Sequence, residues 1–397
     1  MKITAIICEY NPLTNGHAEH LRRAREETGA DTILCVMSGS FTQRGEAAVA
    51  DKYMRAEQAI YAGADIVVEL PTIYAVSPAD NFAYGAIKTI SAFPDVHYLS
   101  FGSECGDLDA IKRAANFLAN EPEEFKEVLK LNLKNGLAYP KARAEALKTY
   151  ALSHPEYSEL TDILDAPNNT LAIAYAVQIL KAGLDIELHT IKRLGGGYDS
   201  TDIDVDFPSA SAVREAFRRG EINKIAAAVP KSVLGMLSVC TPQGDTLGDM
   251  ELFKLKSISG YDLENYYCVT GGIHNRLKIA AKDSTDINEL LEKAKTKSFT
   301  MARLKRICLY ALFDITKQDW TDALNAPPYV NILAMKKDRR DILSNLSLGC
   351  KNVLTRYSDV NRVDKSLRKF IKLDFSTQGT LEIINRSGVF SKKMLLI

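Results

Sequence analysis

The feature that most constrains the fold of this chain is an alternation, over about its first 220 residues, of short apolar runs with helical patterns. Such alternation is typical of a parallel sheet whose strands are joined by crossover helices. The predicted strands are Ile3–Cys8, Thr32–Met37, Ala64–Leu70, Val96–Phe101 and Ile186–Ile191. The predicted helices are Ala18–Thr28, Ala50–Ala62, Ala79–Ser91 and Asp107–Ala119, followed by a helical stretch from about Pro122 to Leu180. The sequence therefore predicts an α/β fold with a Rossmann-like parallel sheet.

The character of the sequence changes near residue 230, where prolines and glycines become frequent and helical patterns then dominate. A helix is predicted over Phe299–Ile315 and a short strand over Tyr329–Met335. We expect two domains: residues 1–230, with a helical insertion at about 120–182, and a mainly α-helical C-terminal domain over residues 231–397. The sequence assigns no oligomeric state.

The two halves of the chain differ in charge although the formal net charge is zero. Residues 1–250 carry 24 Lys and Arg against 34 Asp and Glu, whereas residues 251–397 carry 26 against 16. A basic half is suited to a polyanionic partner such as a nucleic acid. The alternative is a chance imbalance on a solvated helical domain, since no compact Lys/Arg run stands out.

Several function classes are excluded by what the sequence lacks. The seven cysteines are scattered without a C-x-x-C pair, which argues against a disulfide framework and a zinc site and favours a cytoplasmic location. No segment approaches the roughly 20 apolar residues of a membrane helix, so no membrane partner is expected. The P-loop and the G-x-S-x-G nucleophile elbow are absent, and Gly195-Gly196-Gly197 is interpreted as a flexible loop. His97, His154, His189 and His274 are interpreted as isolated.

A strand, a tight turn and a helix start follow one another within the first twenty residues. After the Ile3–Cys8 run come Glu9-Tyr10-Asn11-Pro12 and then Thr14-Asn15-Gly16-His17. The first backbone N–H groups of a helix lack intrahelical partners and bind anions, a glycine permits close backbone approach, and a histidine adds a donor. Asn15, Gly16 and His17 are therefore the candidate catalytic residues of a nucleotide phosphate site.

This turn resembles the H-x-G-H loop of the nucleotidyltransferase superfamily, whose members act at the α-phosphorus of ATP. Thr14 stands where that superfamily usually has its first histidine. A hydroxyl donates a hydrogen bond to phosphate but carries no charge, so most side-chain electrostatics is expected from His17. His20 lies three residues on and either extends the phosphate site or is a helix-surface histidine. A turn that merely starts a helix with a histidine is the structural alternative.

Longer blocks resemble one family, the bacterial tRNA(Met) cytidine acetate ligases, over essentially the whole chain. They are Ser38-Gly39-Ser40-Phe41-Thr42-Gln43-Arg44-Gly45-Glu46, Asp51-Lys52, Arg55, Ala62–Asp65, Val68–Pro71, Pro78–Ala86, Phe101–Glu104, Pro167–Leu171, Ile191–Arg193, Gly196–Tyr198 and Ser209–Arg214. The resemblance implies that ATP activates acetate as acetyl-adenylate, with release of pyrophosphate. The acetyl group then passes to N4 of the wobble cytidine of elongator tRNA(Met), without acetyl-CoA.

The resemblance also implies which residues bind ATP. They are Ile7, Cys8, Glu9, Tyr10, Asn11, Pro12, Leu13, Thr14, Asn15, Gly16, His17, Ala18, Glu19, His20, Gly102, Asn168 and Arg193. Gly102 is expected to give adenine or ribose close backbone access, and Asn168 and Arg193 to contact nucleotide or acetate. Mg²⁺ is expected to arrive on the ATP phosphates, with no metal site of the protein's own.

The Ser209–Arg214 block resembles the second signature of the superfamily, which opens a helix near the triphosphate. Ser209 or Ser211 would cap that helix, while Ser211 and Arg214 are candidate phosphate contacts. The alternative is an ordinary amphipathic helix with Arg214 on its surface. Lys52 and Arg55 either contact phosphate or tRNA or pair with Asp51 and Glu57.

Two other functions remain open at this point. An adenylyltransferase acting on a phosphorylated cofactor precursor would share the N-terminal chemistry, but would not need a basic region of nearly 150 residues. A non-catalytic RNA-binding protein on the same fold has only Thr14 in its favour. Tight, salt-sensitive binding of tRNA would count against the first of these.

Overall fold

The computed structural model describes residues 1–193, 202–203, 205–241, 244–386 and 393–397. The strands of this part of the chain are β1 Ile3–Cys8, β2 Thr32–Ser38, β3 Ile66–Leu70, β4 Val96–Ser103, β5 Glu187–Lys192, β6 Val330–Met335, β7 Val353–Leu354 and β8 Leu395–Leu396. They form one sheet in the order β5-β4-β1-β2-β3-β6-β7, and β8 pairs with β6. The pairs among β1 to β5 are parallel, and β6 runs antiparallel to β3. The predicted α/β fold with a parallel sheet is confirmed.

The α-helices of the first half in the described residues are α1 Asn15–Thr28, α2 Lys52–Tyr61, α3 Thr72–Ala75, α4 Ala79–Ile90, α5 Leu108–Ala119, α6 Glu123–Lys134, α7 Tyr139–Ser153, α8 Pro167–Ala182, α9 Ala210–Arg218, α10 Ile222–Ala228 and α11 Lys231–Ser238. Those of the second half are α12 Thr246–Ser257, α13 Gly260–Glu264, α14 Ile273–Lys282, α15 Ile287–Ala294, α16 Met301–Leu312, α17 Lys317–Asn325, α18 Asp341–Gly349 and α19 Arg368–Ile384. Short 3₁₀ turns occupy Pro155–Leu160, Ile163–Asp165, Tyr357–Asn361 and Lys365–Leu367. Among these helices, none combines the length and the apolar character needed to cross a lipid bilayer.

The sheet is covered by helices on both faces, as the near-continuous apolar strands require. Successive side chains of a strand point to opposite faces. Ile3 and Ala5 of β1 accordingly pack in a cluster with α4, α8 and α19, whereas Ile6 packs in a second cluster with α1, α2, α9 and α11. The strands that carry the predicted nucleotide loop are therefore held rigidly from both sides.

The helix after the N-terminal strand begins earlier than predicted, at Asn15 rather than Ala18. Thr14 is extended, with φ −107° and ψ 169°, and its carbonyl accepts the first helical hydrogen bond from the Ala18 N–H. Thr14 is thus the N-cap, and Gly16 and His17 lie in the first helical turn. The capping box pairs the His17 N–H with the Thr14 side chain, and the Gly16 N–H belongs to the donors of the helix end that lack an intrahelical partner.

The second half of the chain contributes to the same sheet. The strand predicted over Tyr329–Met335 forms as β6, Val330–Met335, and pairs with the edge of β3. The helix α19 buries Phe370, Ile371 and Phe375 in the cluster that contains Ile3 and Ala5. One apolar core is therefore shared across residue 230, and the division into two domains at that residue stays a prediction.

Candidate active site

A cavity of about 240 Å³ opens beyond the carboxyl ends of β1, β4 and β5. The sheet register sets Cys8 beside Met37 and Gly102 beside Ile191, so these strand ends share one edge. The sheet order also reverses between β1 and β4, which is where ligands bind in open parallel sheets. Fifteen of the predicted site residues line the cavity, namely Ile7, Cys8, Glu9, Tyr10, Asn11, Thr14, Gly16, His17, Glu19, His20, Gly102, Asn168, Arg193, Ser211 and Arg214.

The other predicted site residues lie outside the cavity lining, which omits Pro12, Leu13, Asn15, Ala18 and Lys52. Leu13 is a buried core residue beneath the loop. The Asn15 side chain donates from Nδ2 to the Ala227 carbonyl (2.8 Å), so it ties α1 to α10. Asn15 faces the helix–helix contact, and only its backbone N–H belongs to the open helix end.

Lys52 and Arg55 have different roles from those expected. Lys52 is fully buried and its Nζ lies 2.7 Å from both carboxylate oxygens of Glu69, so its position does not fit a phosphate contact. The buried guanidinium of Arg55 donates to the backbone carbonyls of Glu9 (2.6 Å) and Ser38 (3.2 Å). It therefore holds the carboxyl ends of β1 and β2 together. The expected pairing of Lys52 and Arg55 with Asp51 and Glu57 did not predict these acceptors, which lie far away in the sequence.

His17 is held by the cap of its own helix. The Thr14 backbone N–H donates to His17 Nδ1 (3.0 Å), and the Thr14 hydroxyl lies 3.2 Å from the same atom. Because Nδ1 accepts, the proton of the neutral ring is on Nε2, which is the donor available to a ligand. Burial, with contributions from Arg193 and His20, lowers the pKa of His17 to about 3. At neutral pH the ring is therefore an uncharged hydrogen-bond donor.

The space beside Gly16, where the sequence predicts a close approach of a ligand to the backbone, is open in the structure. A methyl group at this position would meet Thr14 Oγ1 at 3.7 Å and Phe207 Cδ1 at 3.8 Å, which are ordinary contact distances. The protein itself therefore tolerates a side chain there. Any steric need for glycine would come from a ligand at the helix end.

Two carboxylates beside the loop are already held by protein donors. Glu9 accepts from the Gln43 backbone N–H (2.7 Å), and burial raises its pKa despite the nearby arginines. Glu46 lies 2.7 Å from Lys305 Nζ and 3.8 Å from Arg214. Burial acts to raise the pKa of Glu46, but these cations outweigh it and the pKa lies below its usual value.

A second helix N-terminus meets the cavity at α9. Ser209 is its N-cap and accepts from the Ala212 N–H (3.0 Å), while Ser211 lies in the first turn. Arg214 donates to the Asn11 carbonyl (2.7 Å) and to Ser211 Oγ (3.1 Å). Burial lowers the pKa of Arg214, yet the group remains a guanidinium at neutral pH. The arginine thus bridges the loop after β1 and the start of α9.

The opposite wall of the cavity is held by hydrogen bonds between Glu104 and the start of α8. Glu104 accepts from Asn168 Nδ2 (2.7 Å) and from the backbone N–H groups of Asn168 and Asn169. One amide hydrogen of Asn168 is bonded to Glu104, so its second amide hydrogen and its Oδ1 are the groups to expect at a ligand. Gly102 makes room for Arg193, whose Cγ would lie 3.3 Å from a methyl group at that position. The Gly196–Tyr198 block and the Gly195–Gly197 loop lie outside the described residues.

His20 is not a surface histidine. Its Nε2 lies 2.9 Å from Ser100 Oγ, and Ser100 Oγ lies 3.0 Å from Nδ1 of His189. Burial, with His189, Arg193 and Arg23, lowers the pKa of His20 to about 4. The interpretation of His189 as isolated is therefore wrong, because the pairing of β4 with β5 brings it beside Ser100.

The cavity is also lined by residues that were not predicted to belong to the site, among them Arg23, Arg44, Leu171, Tyr175 and Lys192. Helical spacing offered a signal for three of them, since Arg23 follows His20 by one turn, and Leu171 and Tyr175 share the face of Asn168. Five lysines and arginines line the cavity against three glutamates. This excess of positive charge favours a polyphosphate ligand. In the described residues no group of three or more His, Cys, Asp and Glu is arranged to hold a metal ion.

The parallel sheet and the His17 loop at its switch point define a HIGH-type nucleotidyltransferase, and the family described as HIGH Nucleotidyl Transferase matches residues 1–394. A tRNA(Met) cytidine acetate ligase of Clostridium perfringens (strain SM101 / Type A) is 37% identical over 371 residues, which cover 92% of this chain and 90% of the relative. The chain belongs to the tRNA(Met) cytidine acetate ligase family.

The fold of this chain matches those of solved structures over its full length. A crystal structure of Thermotoga maritima TmcAL in its apo form superposes with a TM-score of 0.93 at 31% identity. A second crystal structure of that protein, bound with alpha-thio ATP, gives a TM-score of 0.92 at the same identity. Each comparison covers 100% of both chains.

Proposed function

We propose that this protein is an ATP-dependent acetate ligase that acts on tRNA. It activates acetate as acetyl-adenylate with release of pyrophosphate. It then transfers the acetyl group to N4 of the wobble cytidine, position 34, of elongator tRNA(Met), giving N4-acetylcytidine and AMP. The observation that carries the proposal is similarity over 92% of the chain to a protein named tRNA(Met) cytidine acetate ligase, together with full-length similarity to Thermotoga maritima TmcAL, which was solved with alpha-thio ATP.

The phosphates of ATP are proposed to lie between the N-termini of α1 and α9. Both helix ends line the cavity, and each offers unpaired backbone N–H groups to an anion. Arg214 is already bound to the loop and to Ser211, so its guanidinium is positioned before substrate arrives. We assign Gly16 to close approach of a phosphate because the space beside it is open.

The first chemical step needs stabilisation of charge rather than a covalent enzyme intermediate. When an acetate oxygen attacks the α-phosphorus, negative charge grows on the phosphoryl oxygens and on pyrophosphate. Fixed donors aimed at that charge are worth about two to three orders of magnitude each in rate. His17 supplies such a donor at Nε2, since its Nδ1 is occupied by the Thr14 N–H. Thr14 therefore acts by orienting His17 through its backbone N–H and its hydroxyl, a role that needs no charge on the side chain.

Mg²⁺ is proposed to enter with ATP as part of the substrate. The two cavity carboxylates nearest the loop, Glu9 and Glu46, are bound to Gln43, Lys305 and Arg214. Mg²⁺ bound mainly through substrate phosphates and water is the usual arrangement for such sites. Titration of ATP turnover with Mg²⁺ tests this, because activity should follow the concentration of Mg·ATP.

We propose that residues 231–397 form the tRNA-binding domain, separate from the ATP and acetate domain of residues 1–230 with its helical insertion at about 120–182. The excess of Lys and Arg in residues 251–397 supports backbone contacts that are set by shape and charge. The helix α16 connects this region to the cavity, since Lys305 pairs with Glu46 and Arg306 donates to the Gln43 carbonyl. Phosphate contacts would give strongly salt-dependent binding.

A cytoplasmic location is also proposed. All seven cysteines are free thiols in the structure, which suits a reducing compartment where tRNA is modified. Cell fractionation with a tagged chain tests this assignment.

The decisive assay combines purified protein, Mg·ATP and radiolabelled acetate with elongator tRNA(Met) transcripts. We expect label in acid-precipitable RNA that requires ATP and is not replaced by acetyl-CoA. A transcript with uridine at position 34 is the matched control and should stay unlabelled, because it has no exocyclic amine. Absence of label together with absence of acetate-dependent ATP–pyrophosphate exchange would refute the ligase and favour an adenylyltransferase for a phosphorylated cofactor precursor.

The site assignment is tested separately with His17→Ala. Loss of the Nε2 donor should lower acetate-dependent exchange by about 10²-fold. His97→Ala is the control, since His97 is exposed on β4 and its Nδ1 lies 2.6 Å from the Asp95 carbonyl, away from the cavity lining. A His17→Ala enzyme with the wild-type rate would overturn the assignment, whichever ligation the protein performs.

A further inference from the structure

A chain of hydrogen bonds leads from the cavity to the protein surface. His20 Nε2 lies 2.9 Å from Ser100 Oγ, Ser100 Oγ lies 3.0 Å from His189 Nδ1, and His189 Nε2 lies 3.0 Å from Glu27 Oε2. The members come from α1, β4 and β5, so the sheet and the helix fix the chain at both ends. Only His20 lines the cavity.

The residue at the surface end of this hydrogen-bond chain, Glu27, sets which atom donates and which accepts at each step. The hydrogen bond of Glu27 to Arg23, with a smaller contribution from His189, lowers the pKa of Glu27, so the carboxylate accepts. His189 must therefore donate from Nε2, and when neutral its Nδ1 accepts the Ser100 hydroxyl proton. Ser100 then accepts from His20 Nε2. The remaining lone pair of His20 is on Nδ1, which has no partner among the described residues.

The surroundings explain why His20 would need this connection. Arg23 and Arg193 are the cations that face it, Glu27 is the facing anion, and His189 and His17 are the other titratable groups. Burial and the cations lower the pKa of His20 to about 4, so its ring holds an extra proton poorly. His189 lies directly against the Glu27 carboxylate, which stabilises a positive charge there. A positive charge is thus better stabilised at the outer end of the hydrogen-bond chain, beside Glu27, than at His20.

We propose that His20 Nδ1 accepts the proton released in acetyl transfer and that Ser100, His189 and Glu27 are positioning residues that pass it outward. This inference rests on the proposed function, in which an amine consumes an acyl-adenylate. The cytosine N4 lone pair forms a bond to the acetyl carbon, and the bond from that carbon to the phosphate oxygen breaks with its electrons on AMP. The N4 proton moves to His20 Nδ1, the Nε2 proton to Ser100, and the Ser100 proton to His189 Nδ1.

The two half-reactions separate this relay from general damage to the site. Acetate-dependent ATP–pyrophosphate exchange reports adenylate formation, which releases no proton from an amine. Single-turnover transfer to tRNA reports the second step. For Ser100→Ala we expect exchange within about twofold of wild type and transfer lowered about 10²-fold, the range of general base catalysis.

Glu27→Gln provides a variant that is expected to fold, because Glu27 lies on the outer side of α1 and is 39% exposed. It keeps the acceptor oxygen but loses the charge that stabilises protonated His189, so transfer should fall about tenfold. Glu26→Gln is the matched control on the next position of the same helix, where the carboxylate pairs with Arg22. That control should leave both half-reactions unchanged.

His189→Gln gives a third readout that damage to the ATP site would not reproduce. It removes the ring nitrogen that lies 3.0 Å from Ser100 Oγ, so transfer should fall about 10²-fold while exchange stays within about twofold of wild type. Equal losses in both half-reactions, or wild-type transfer by Ser100→Ala, would overturn the relay. A wild-type enzyme that forms adenylate but labels no tRNA would instead refute the proposed function.

Discussion

Two clusters of charged side chains, one in the core and one at the cavity, use the same residue types in different ways. In the first, buried against α19, Lys52 contacts Glu69, and Asn331 also donates to Glu69 (2.6 Å). In the second, at the cavity, Glu46 lies between Lys305 and Arg214. The side chains of Lys52 and Glu69 are 0% exposed, whereas those of Glu46 and Arg214 are 29% and 15% exposed.

The difference teaches how a structural charge is distinguished from a functional one. The first cluster is closed, because Asp374 also finds its donors in the Thr72 N–H and the Tyr329 hydroxyl. The second borders an open cavity, and its cations outnumber its carboxylates. A closed cluster stabilises the fold, whereas an open one retains binding capacity for a ligand. The first two predictions below test this contrast, and the next two concern residues outside both clusters.

The largest effect is expected on stability from Lys52→Met. Removing one partner leaves the Glu69 carboxylate buried without its counter-ion, which costs about 3–5 kcal/mol in the free energy of unfolding. Urea denaturation at pH 7 measures it. Lys126→Met, at an exposed pair with Glu123, should cost less than about 1 kcal/mol. Equal losses in the two variants would remove the distinction between closed and exposed charges.

The converse change at the cavity is Arg214→Met. We expect acetate-dependent exchange to fall about 10²–10³-fold, because a fixed cation near the phosphates is lost, with a smaller change in unfolding free energy than for Lys52→Met. Arg218→Met is the control one turn further along α9, where the guanidinium is 53% exposed and pairs with Glu215. If Arg214→Met lost stability rather than activity, the cavity cluster would be structural as well.

Glu251 is a buried carboxyl that belongs to neither cluster. Its Oε1 has no hydrogen-bond partner among the described residues, and burial raises its pKa to about 8 despite Lys305. Since the folded pKa is raised, its contribution to stability is full below the unfolded pKa of about 4.3 and is lost as the pH rises through about 8. Glu251→Gln should therefore flatten the decline in unfolding free energy between pH 5 and 8 by about 3–4 kcal/mol. Parallel curves for the two proteins would contradict this.

The smallest effect is expected from Gly16→Ala. The added methyl group fits the protein, and alanine favours a helix by about 0.5–1 kcal/mol over glycine, so stability should hold or rise. The affinity for ATP should fall about tenfold if a phosphate approaches this position. Calorimetric titration with ATP measures it, and unchanged affinity would move the phosphates away from Gly16. Gly235→Ala, in α11 with open space around it, is the control.

Local patterns in the sequence predicted much of this molecule. The strand β1 was predicted with its observed bounds, and the ends of β2 to β5 differ by at most two residues, because apolar runs define buried strands. The prediction for α1 was wrong at its start, since Thr14 caps the helix with His17, rather than the common Glu or Gln, at the third position.

Contacts between distant parts of the chain were not predictable in the same way. Lys52 follows a helix cap and its local pattern suits a surface residue, but Glu69 and Asp374 enclose it from positions 17 and 322 residues away. His189 joins Ser100 because β4 and β5 pair in one register, which no local pattern specifies. The loop after β1 was predictable from residue types, whereas the relay behind it depends on the sheet.

The pairing of β6 with β3 affects how the protein is made. A ribosome adds about 5–20 residues per second, and about 260 residues separate Leu70 from Val330. The edge of β3 therefore remains uncovered for on the order of ten to fifty seconds after it leaves the ribosome. During that interval a nascent chain presents an apolar strand edge, a surface on which unfinished chains aggregate or trigger factors and other chaperones bind. We therefore expect the yield of folded protein to depend on the rate of translation, because that rate sets how long the β3 edge stays exposed.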